Sequence, residues 1–428
     1  MNVRKMMRID RWVGVPLCAL ASAWRRLAAP FAAPSSGPVK SIAFIKLAEQ
    51  GSTVLAQTAL LDAVRRVGRE NVFMVVFDDN RFIVDVLDAI PYENVITVCS
   101  DSLLGMIPSA IRALVRLRGM RLGAVVDLEF FARSSALLAF ATGAPVRVGF
   151  HAFFGEGPYR GNLMTHRVRY NPHLHTTQTF AMLVAALDAP VEGLPRFDWV
   201  PPRPTDAPVC FAPQPGEVSE VEAILAKLTG QRVPPPLILL NANASDLLPL
   251  RRWDSECYVE LARRLIAAFP EVWIGFTGAR DEAPVIEKLA AKGGRERCFS
   301  LAGQTTLRQL MVLYCLADVL VTNDSGPAHF ASLTTIRTVT LFGPETPLLF
   351  AALTPRTKPL WAGIACSPCV SAVNNRQSAC TNNVCMQRIS VEQVFEAVAA
   401  SYQESRASRA RVPVGQTQPA GREATAVI

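Results

Sequence analysis

Residues 41–68 read SIAFIKLAEQGSTVLAQTALLDAVRRVG. Ser41–Leu47 is a short apolar run rich in β-formers. Gly51-Ser52-Thr53 then turns the chain, and an apolar helical stretch runs to Val67, where Gly68 closes it. The unit is strand, turn, helix. Its parts recur: Val72–Phe77 is a second buried strand, and Gly123–Leu128 (GAVVDL) is another, followed by helical residues 134–142. Further on, Leu237–Leu240, Val272–Thr277, Val319–Thr322 and Val339–Phe342 are each strand-like and each leads into a turn and a helical stretch. Continuous apolar strands alternating with helices predict parallel sheets covered on both faces.

A chain of 428 residues is too long for one ordinary domain. Pro-rich residues 189–206 break the alternation, so the domain linker belongs there. The predicted organisation is a basic apolar segment and linker (1–39), an N-terminal Rossmann-like domain (40–190), a linker (191–206), a second such domain (207–390), a helix (391–403) and a disordered polar tail (404–428). The predicted fold class is α/β, two doubly wound domains facing a central cleft. Ligands of such sheets bind beyond the carboxyl ends of the strands.

With 50% hydrophobic and 19% charged residues, wholesale disorder is excluded. The net charge of +8 sits at the ends: Arg4, Lys5, Arg8, Arg11, Arg25, Arg26 and Lys40 face only Asp10 before residue 41. A nucleic-acid binder would carry its excess on the folded domain, whereas charged ends suit an anionic membrane surface. Trp12–Trp24 (WVGVPLCALASAW) is apolar between arginines but falls short of the roughly 20 residues that span a bilayer. Basic flanks and Pro16 favour a segment lying at the interface; a signal peptide or a simple packing helix remain open.

The sharpest motif is Val321-Thr322-Asn323-Asp324-Ser325-Gly326-Pro327-Ala328-His329. A strand ends in Asn-Asp and a helix starts at once, with Ser325 as its expected cap and Pro327 in its first turn. Free N–H groups and the positive dipole end at such a start suit a diphosphate, and Gly326 permits close approach. A plain capped helix fits the same residues.

This motif, with Thr340-Leu341-Phe342-Gly343-Pro344 after it, resembles the signature of the family 9 glycosyltransferases, the heptosyltransferases of lipopolysaccharide core assembly and their relatives. Phe44-Ile45-Lys46-Leu47 with Gly51, Asp127–Ser135 with Val148-Gly149-Phe150, Asn241–Ser245 with Arg252-Trp253, and Leu301-Ala302-Gly303 with Thr305-Thr306-Leu307 resemble other family segments in the same order. The resemblance spans residues 40–400 and implies the two-Rossmann GT-B fold, with the nucleotide held mainly by the second half. It implies that Asp324, Ser325, Gly326 and His329 line the donor diphosphate and sugar and that Arg251 reaches the phosphates, where a guanidinium binds bidentately. Ser245 is a further phosphate donor or a turn residue, and Gly278 packs near the nucleoside, with Asp281 or Glu282 as ribose acceptors.

The reaction implied is an inverting, metal-independent transfer from a nucleotide-sugar donor, possibly ADP-heptose, to a lipopolysaccharide-core or other lipid-linked glycan acceptor, with no further cofactor. It needs a base for the acceptor hydroxyl. Relatives carry Asp after the glycine of the first loop; here Ser52 stands there, and a serine hydroxyl has no suitable pKa. Glu49 in the same loop is the preferred substitute and Glu129 the second, unless Glu129 is merely an ion-pair partner of Arg133. The expected location is cytoplasmic, peripheral on the inner face of the inner membrane, with no nucleic-acid partner. Two other classes fit: a catalytically silent nucleotide-sugar binder, motivated by the missing Asp, and a nucleotide-sugar epimerase of the same architecture.

Two clusters stand apart. His151, His166, His173 and His175 lie with Tyr159, Arg160, Arg167 and Arg169 in a loop-rich stretch that suits an anionic or sugar-rich acceptor, or is a mobile surface loop. Cys366, Cys369, Cys380 and Cys385 include one C-x-x-C pair; structural zinc, disulfides and free thiols all fit their spacing.

Overall fold

The computed structural model describes residues 3–28, 37–191, 194, 197, 199–205, 209–231, 235–244 and 248–410. The fold is α/β, with twelve strands in two six-stranded sheets. The first sheet contains β1 (Ile42–Ile45), β2 (Val72–Phe77), β3 (Val95–Val98), β4 (Ala124–Asp127), β5 (Val146–Phe150) and β6 (His166–Val168), in the order β3-β2-β1-β4-β5-β6. The second contains β7 (Leu237–Asn241), β8 (Trp273–Phe276), β9 (Cys298–Ser300), β10 (Val319–Asn323), β11 (Arg337–Phe342) and β12 (Thr357–Trp361), in the order β12-β11-β10-β7-β8-β9. All ten pairings are parallel.

Strand order reverses between β1 and β4 in one sheet and between β7 and β10 in the other. These are the topological switch points, where connections diverge and leave a crevice at the strand ends. The register aligns Ile45 with Asp127 and Thr322 with Asn241. The predicted functional loops thus leave neighbouring strands together.

The continuous apolar strands are buried on both faces, as parallel sheets require. In β1, Ile42 and Phe44 join one core cluster while Ala43 and Ile45 join another on the opposite face. The first of these clusters also takes in Phe330, Leu333 and Phe350 of the second half, so apolar packing is continuous between the two halves.

The N-terminal segment forms two helices, Val3–Trp12 and Gly14–Ala28. One side docks on the first domain: Gly14, Cys18 and Ser22 are buried, and Arg25 donates to the carbonyls of Asn162 (2.6 Å) and Met164 (3.0 Å). Asp10 accepts from the backbone amides of Arg133 (3.0 Å) and Ser134 (2.9 Å), capping the helix Arg133–Ala141. Trp12, Val13, Leu17, Leu20, Trp24 and Leu27 remain exposed. Helix Leu103–Gly119 covers the same sheet face and also turns Leu104, Ile107, Ile111 and Val115 outward. Among the described residues, no helix is long and apolar enough to cross a membrane.

At the other end, the last helix runs Val391–Ala410, past the expected boundary at 403. The polar residues taken for the start of a tail hold it down. Ser405 donates to the buried Asp318 carboxylate (3.0 Å), Arg409 reaches the same group at 3.3 Å, and Arg409 also donates to the Leu316 carbonyl (2.8 Å). Residues 411–428 of the expected tail lie outside the described residues. The second Asp318 oxygen accepts the Leu237 amide at 3.1 Å. Asp318→Ala leaves the Ser405 hydroxyl and the Leu237 amide without this acceptor, and urea unfolding should show a loss of about 3 kcal/mol. Arg409→Ala, at an exposed partner, should cost about 1 kcal/mol or less in the same measurement.

Candidate active site

The chain leaves β1 through Lys46, whose side chain is wholly buried at the first switch point. Its ammonium lies 3.2 Å from Glu129 Oε1, past the end of β4, and 3.9 Å from Glu49 Oε2. Glu129 also accepts the Ala48 amide at 2.9 Å, so it braces the first loop. It does not pair with Arg133, which is taken by Asp10 at 3.1 Å. The neighbouring Asp127 is buried against Arg160 and Ser135, and burial above all pushes its carboxyl up to about 6, against the Arg160 charge.

Glu49 precedes the helix Gln50–Leu55 in the left-handed region (φ 69°), which a non-glycine residue adopts only under constraint. The constraint is visible in its contacts. Its carbonyl accepts the Thr53 amide at 3.1 Å, and its carboxylate takes the Ser52 hydroxyl at 3.1 Å and the Arg376 guanidinium of the other domain. Burial pushes the Glu49 carboxyl up, but the charges of Arg376, Lys46 and Arg251 and the Ser52 hydroxyl outweigh it and hold it at about 2. Ser52 is buried and orients Glu49.

Across the cleft, Arg251 lies 2.7 Å from Glu345 Oε2 and 3.5 Å from Asp324 Oδ2. Arg376 bridges Glu49 and Glu345, the latter at 3.4 Å. Asn323, at the end of β10, accepts the Trp253 amide (3.0 Å) and donates to the Ala242 and Asn243 carbonyls, fixing the loop that carries Arg251. Arg252 turns away to the Ala244 carbonyl at 2.9 Å.

The turn at 324–329 faces the first domain. A Cβ placed on Gly51 would sit 2.5 Å from His329 Cδ2, so only glycine lets the first loop approach this helix. Burial, reinforced by the Arg251 charge, pushes the His329 imidazole down to about 4. Ser325 does not cap the helix Gly326–Ser332 as expected; its hydroxyl donates to the Asn323 carbonyl at 3.1 Å. The backbone is extended, as a cap requires, but the hydroxyl is engaged by the Asn323 carbonyl instead of the helix amides. A Cβ on Gly326 would meet the Phe330 ring at 3.1 Å, so this glycine also serves packing. The Nδ1 of His329, Nε of Arg251, Oδ2 of Asp324 and Oε1 of Glu345 are buried without hydrogen bonds. Three of these atoms are held only by long ion pairs, Arg251 Nε with Asp324 Oδ2 at 3.5 Å and Glu345 Oε1 with Arg376 at 3.4 Å, and beside the unpartnered His329 Nδ1 they suit a polar ligand.

Gly278 lies beyond β8, two strands from β10, or about 10 Å by strand spacing. Glu282 Oε2 accepts the Ala279 amide at 2.7 Å and caps its own turn, whereas Asp281 is exposed. Ser245 lies outside the described residues. The histidine stretch divides: His166 is in β6, and His175 is buried with Nε2 on the Ala351 carbonyl at 2.9 Å, both in structural positions. His151 instead lines a cavity of about 310 Å³ with Tyr159, Arg167 and Arg26. Asp78, Cys99 and Asp101 offer ligand atoms within 4.8 Å of one another near the ends of β2 and β3, but Asp78 Oδ1 is already bound to Ser100.

Two residues of the crevice were not singled out from the sequence. Arg376 is the only charged side chain between Cys366 and Cys385, a signal that was available, and Glu345 follows the Gly343-Pro344 pair directly. Lys46 stands at the end of an apolar run, where it carries no signal of its own.

The chain matches the model of glycosyltransferase family 9 (heptosyltransferase) over residues 115–379. Lipopolysaccharide heptosyltransferase 2 of Salmonella typhimurium is 38% identical over 101 residues, 23% of this chain and 29% of that protein. Lipooligosaccharide heptosyltransferase 2 of Campylobacter jejuni is 26% identical over 176 residues, 38% of this chain and 53% of that protein. The matched stretches thus span only about a third to a half of these curated relatives. Among solved structures, the Escherichia coli ADP-heptose lipopolysaccharide heptosyltransferase II shares the fold at TM-score 0.63 and 18% identity, covering 86% of this chain and 99% of that one. An E. coli heptosyltransferase solved with ADP shares it at TM-score 0.56 and 16% identity, covering 84% and 99%.

The depressed His329 pKa has a consequence for stability. The folded state holds this group neutral, so its contribution is complete above about 6.5, the unfolded value, and is lost as pH falls toward about 4. The stability advantage of the wild-type chain over His329→Gln should shrink between about pH 7 and about pH 5 in urea unfolding. Asp127, whose raised pKa drives stability the other way, cancels in that comparison.

Proposed function

This chain belongs to glycosyltransferase family 9, and from that premise we propose that it transfers a sugar, heptose or a relative of it, from a nucleotide diphosphate donor to a lipopolysaccharide-core or other lipid-linked glycan acceptor. One observation carries the reading: the loops leaving both topological switch points meet in a single buried crevice holding two guanidiniums, paired carboxylates and an imidazole with an unpartnered nitrogen.

In the proposed reaction the donor diphosphate draws Arg251 and Arg376 away from Glu345 and Glu49. Both guanidiniums are shaped for bidentate phosphate contact and supply the positive charge that a departing diphosphate needs. The free amides at the start of the 326–332 helix add to that charge. His329, neutral, is suited to hydrogen-bond the sugar or the bridging oxygen. Glu49, relieved of Arg376, rises from its depressed pKa and accepts the proton of the acceptor hydroxyl, while Ser52 and Lys46 keep it oriented. Attack on the anomeric carbon from the face opposite the leaving diphosphate inverts its configuration.

Activity with a panel of nucleotide sugars tests the transfer. Glu49→Gln should lower kcat about 100-fold or more with little change in nucleotide affinity. Full activity in Glu49→Gln together with a loss in Glu129→Gln would move the base to Glu129. In Arg376→Gln, loss of the paired cation raises the Glu49 pKa, so the acid limb of kcat/KM should shift to higher pH.

We also place the enzyme at an anionic membrane surface. The apolar residues exposed on the Gly14–Ala28 and 103–119 helices lie on one face of the first domain, among Arg8, Arg11, Arg26 and Arg116. The chain should sediment with vesicles containing anionic lipid and not with neutral ones. Replacing Trp12, Leu20 and Trp24 together by serine should abolish that binding while activity on a water-soluble acceptor persists.

A further inference from the structure

The cavity that His151 lines lies between the helix Gly14–Ala28 and the β6 edge of the first sheet. Ala19, Ser22, Ala23 and Arg26 supply one wall, at the i, i+3, i+4, i+7 spacing of a single helix face. Arg167 of β6, His151 just past β5 and Tyr159 of the loop between them supply the other. The joint between the walls is firmly built. The Asn162 amide donates to Ser22 Oγ at 2.7 Å, and Ser22 donates on to the Cys18 carbonyl at 2.6 Å. Gly161 is left-handed (φ 72°), and a Cβ there would lie 2.6 Å from Ser22 Oγ, so only glycine lets the helix settle on this loop.

The cavity gathers positive charge that the protein leaves unanswered. Among the described residues, the side chains of Arg26, Arg167, His151 and Tyr159 make no hydrogen bond or ion pair. Arg167 and His151 rest against the Phe153 ring. The carboxylate that His151 feels, Glu156, is already committed: it accepts the Phe153 and Phe154 amides at 3.1 and 2.6 Å and lies 3.8 Å from Arg169. The cations press on one another instead. Burial and then the Arg167 charge push the Arg25 guanidinium down, and burial with the charges of Arg167 and Arg160 pushes the His151 imidazole down to about 4.

We propose that this pocket binds a phosphate group, with Arg26 and Arg167 gripping its oxygens and His151 and Tyr159 donating hydrogen bonds to them. Two unspent guanidinium forks on opposite walls offer bidentate contacts to a tetrahedral anion. At about 310 Å³ the cavity holds a phosphate with room for water, which takes about 30 Å³ per molecule. The surroundings favour a phosphate carried on a lipid. The exposed Leu20, Trp24 and Leu27 each follow a pocket residue by one position, so their apolar stripe lies about 100° round the same helix. A headgroup phosphate in the pocket lets its acyl chains run over that stripe. The pocket stands on its own geometry, and its use at a membrane rests on the surface reading proposed above.

The test titrates the full chain by calorimetry with inorganic phosphate and with short-chain phosphatidylglycerol kept below its micelle concentration. The double variant Arg26→Gln/Arg167→Gln should weaken the lipid at least about tenfold. Ala23→Phe, which fills the cavity without touching a charge, should do the same. Arg65→Gln, an exposed change of equal charge outside the pocket, should leave the affinity as it is. Phosphate held in the crevice between the domains is common to all these chains and cancels. A loss seen for inorganic phosphate assigns the pocket to free phosphate, and a loss confined to the lipid assigns it to a headgroup; either upholds the site. Equal affinities of the wild-type and double-variant chains for both probes overturn it. Pocket-dependent lipid binding by a chain that does not sediment with anionic vesicles counts against the membrane reading alone.

Discussion

Lys46, Arg251 and Arg376 meet Glu49, Glu129, Asp324 and Glu345 in a buried lattice shared by the two domains. Charges taken out of water are tolerated only when each has a partner of opposite sign, and removing one member leaves another exposed to the full desolvation cost. The lattice therefore disciplines everything around it. It holds Glu49 in a left-handed backbone, while beside it the His329 ring excludes a side chain at Gly51 and Asn323 fixes the loop that carries Arg251. Apolar packing brings the halves together; this set of ion pairs determines where they meet.

The same arrangement separates two kinds of residue at the crevice. Glu129, Ser52 and Asn323 spend their hydrogen bonds on the protein itself and hold loops in place. Arg251, Asp324, His329 and Glu345 each keep an atom without a hydrogen bond. For Arg251, Asp324 and Glu345 that atom is held by a long ion pair, whereas His329 Nδ1 has no partner, at a cost of about 1–3 kcal/mol when buried.

Much of this was legible in the sequence because parallel strands buried on both faces write themselves as unbroken apolar runs. β1, β2, β4, β7, β8, β10 and β11 were all readable on that basis. β3, β5, β6, β9 and β12 were not identified as strands: β6 and β9 have three residues each, Arg147 and Gly149 interrupt β5, and β12 is an edge strand carrying Lys358 and Pro359. The motif at 321–329 read correctly as a strand end at Asn323-Asp324 leading into a helix that holds His329, but the hydroxyl of Ser325 turns to the Asn323 carbonyl, a rotamer choice that no residue pattern reveals. Glu49 was found by its loop. Its partner Arg376 is 327 positions away, and a pairing of that kind follows from the closure of two domains, not from any local periodicity. The last helix was read too short because Ser405 and Arg409 look like solvated tail residues until Asp318 is seen beneath them.

Asp10 closes the amide end of the Arg133–Ala141 helix from more than a hundred residues upstream. That helix follows the β4 loop on which Glu129 stands. Residues 3–28 accordingly act as a strut of the first domain. Any load on the outer side of that strut is therefore passed through Asp10 to the helix that follows the Glu129 loop.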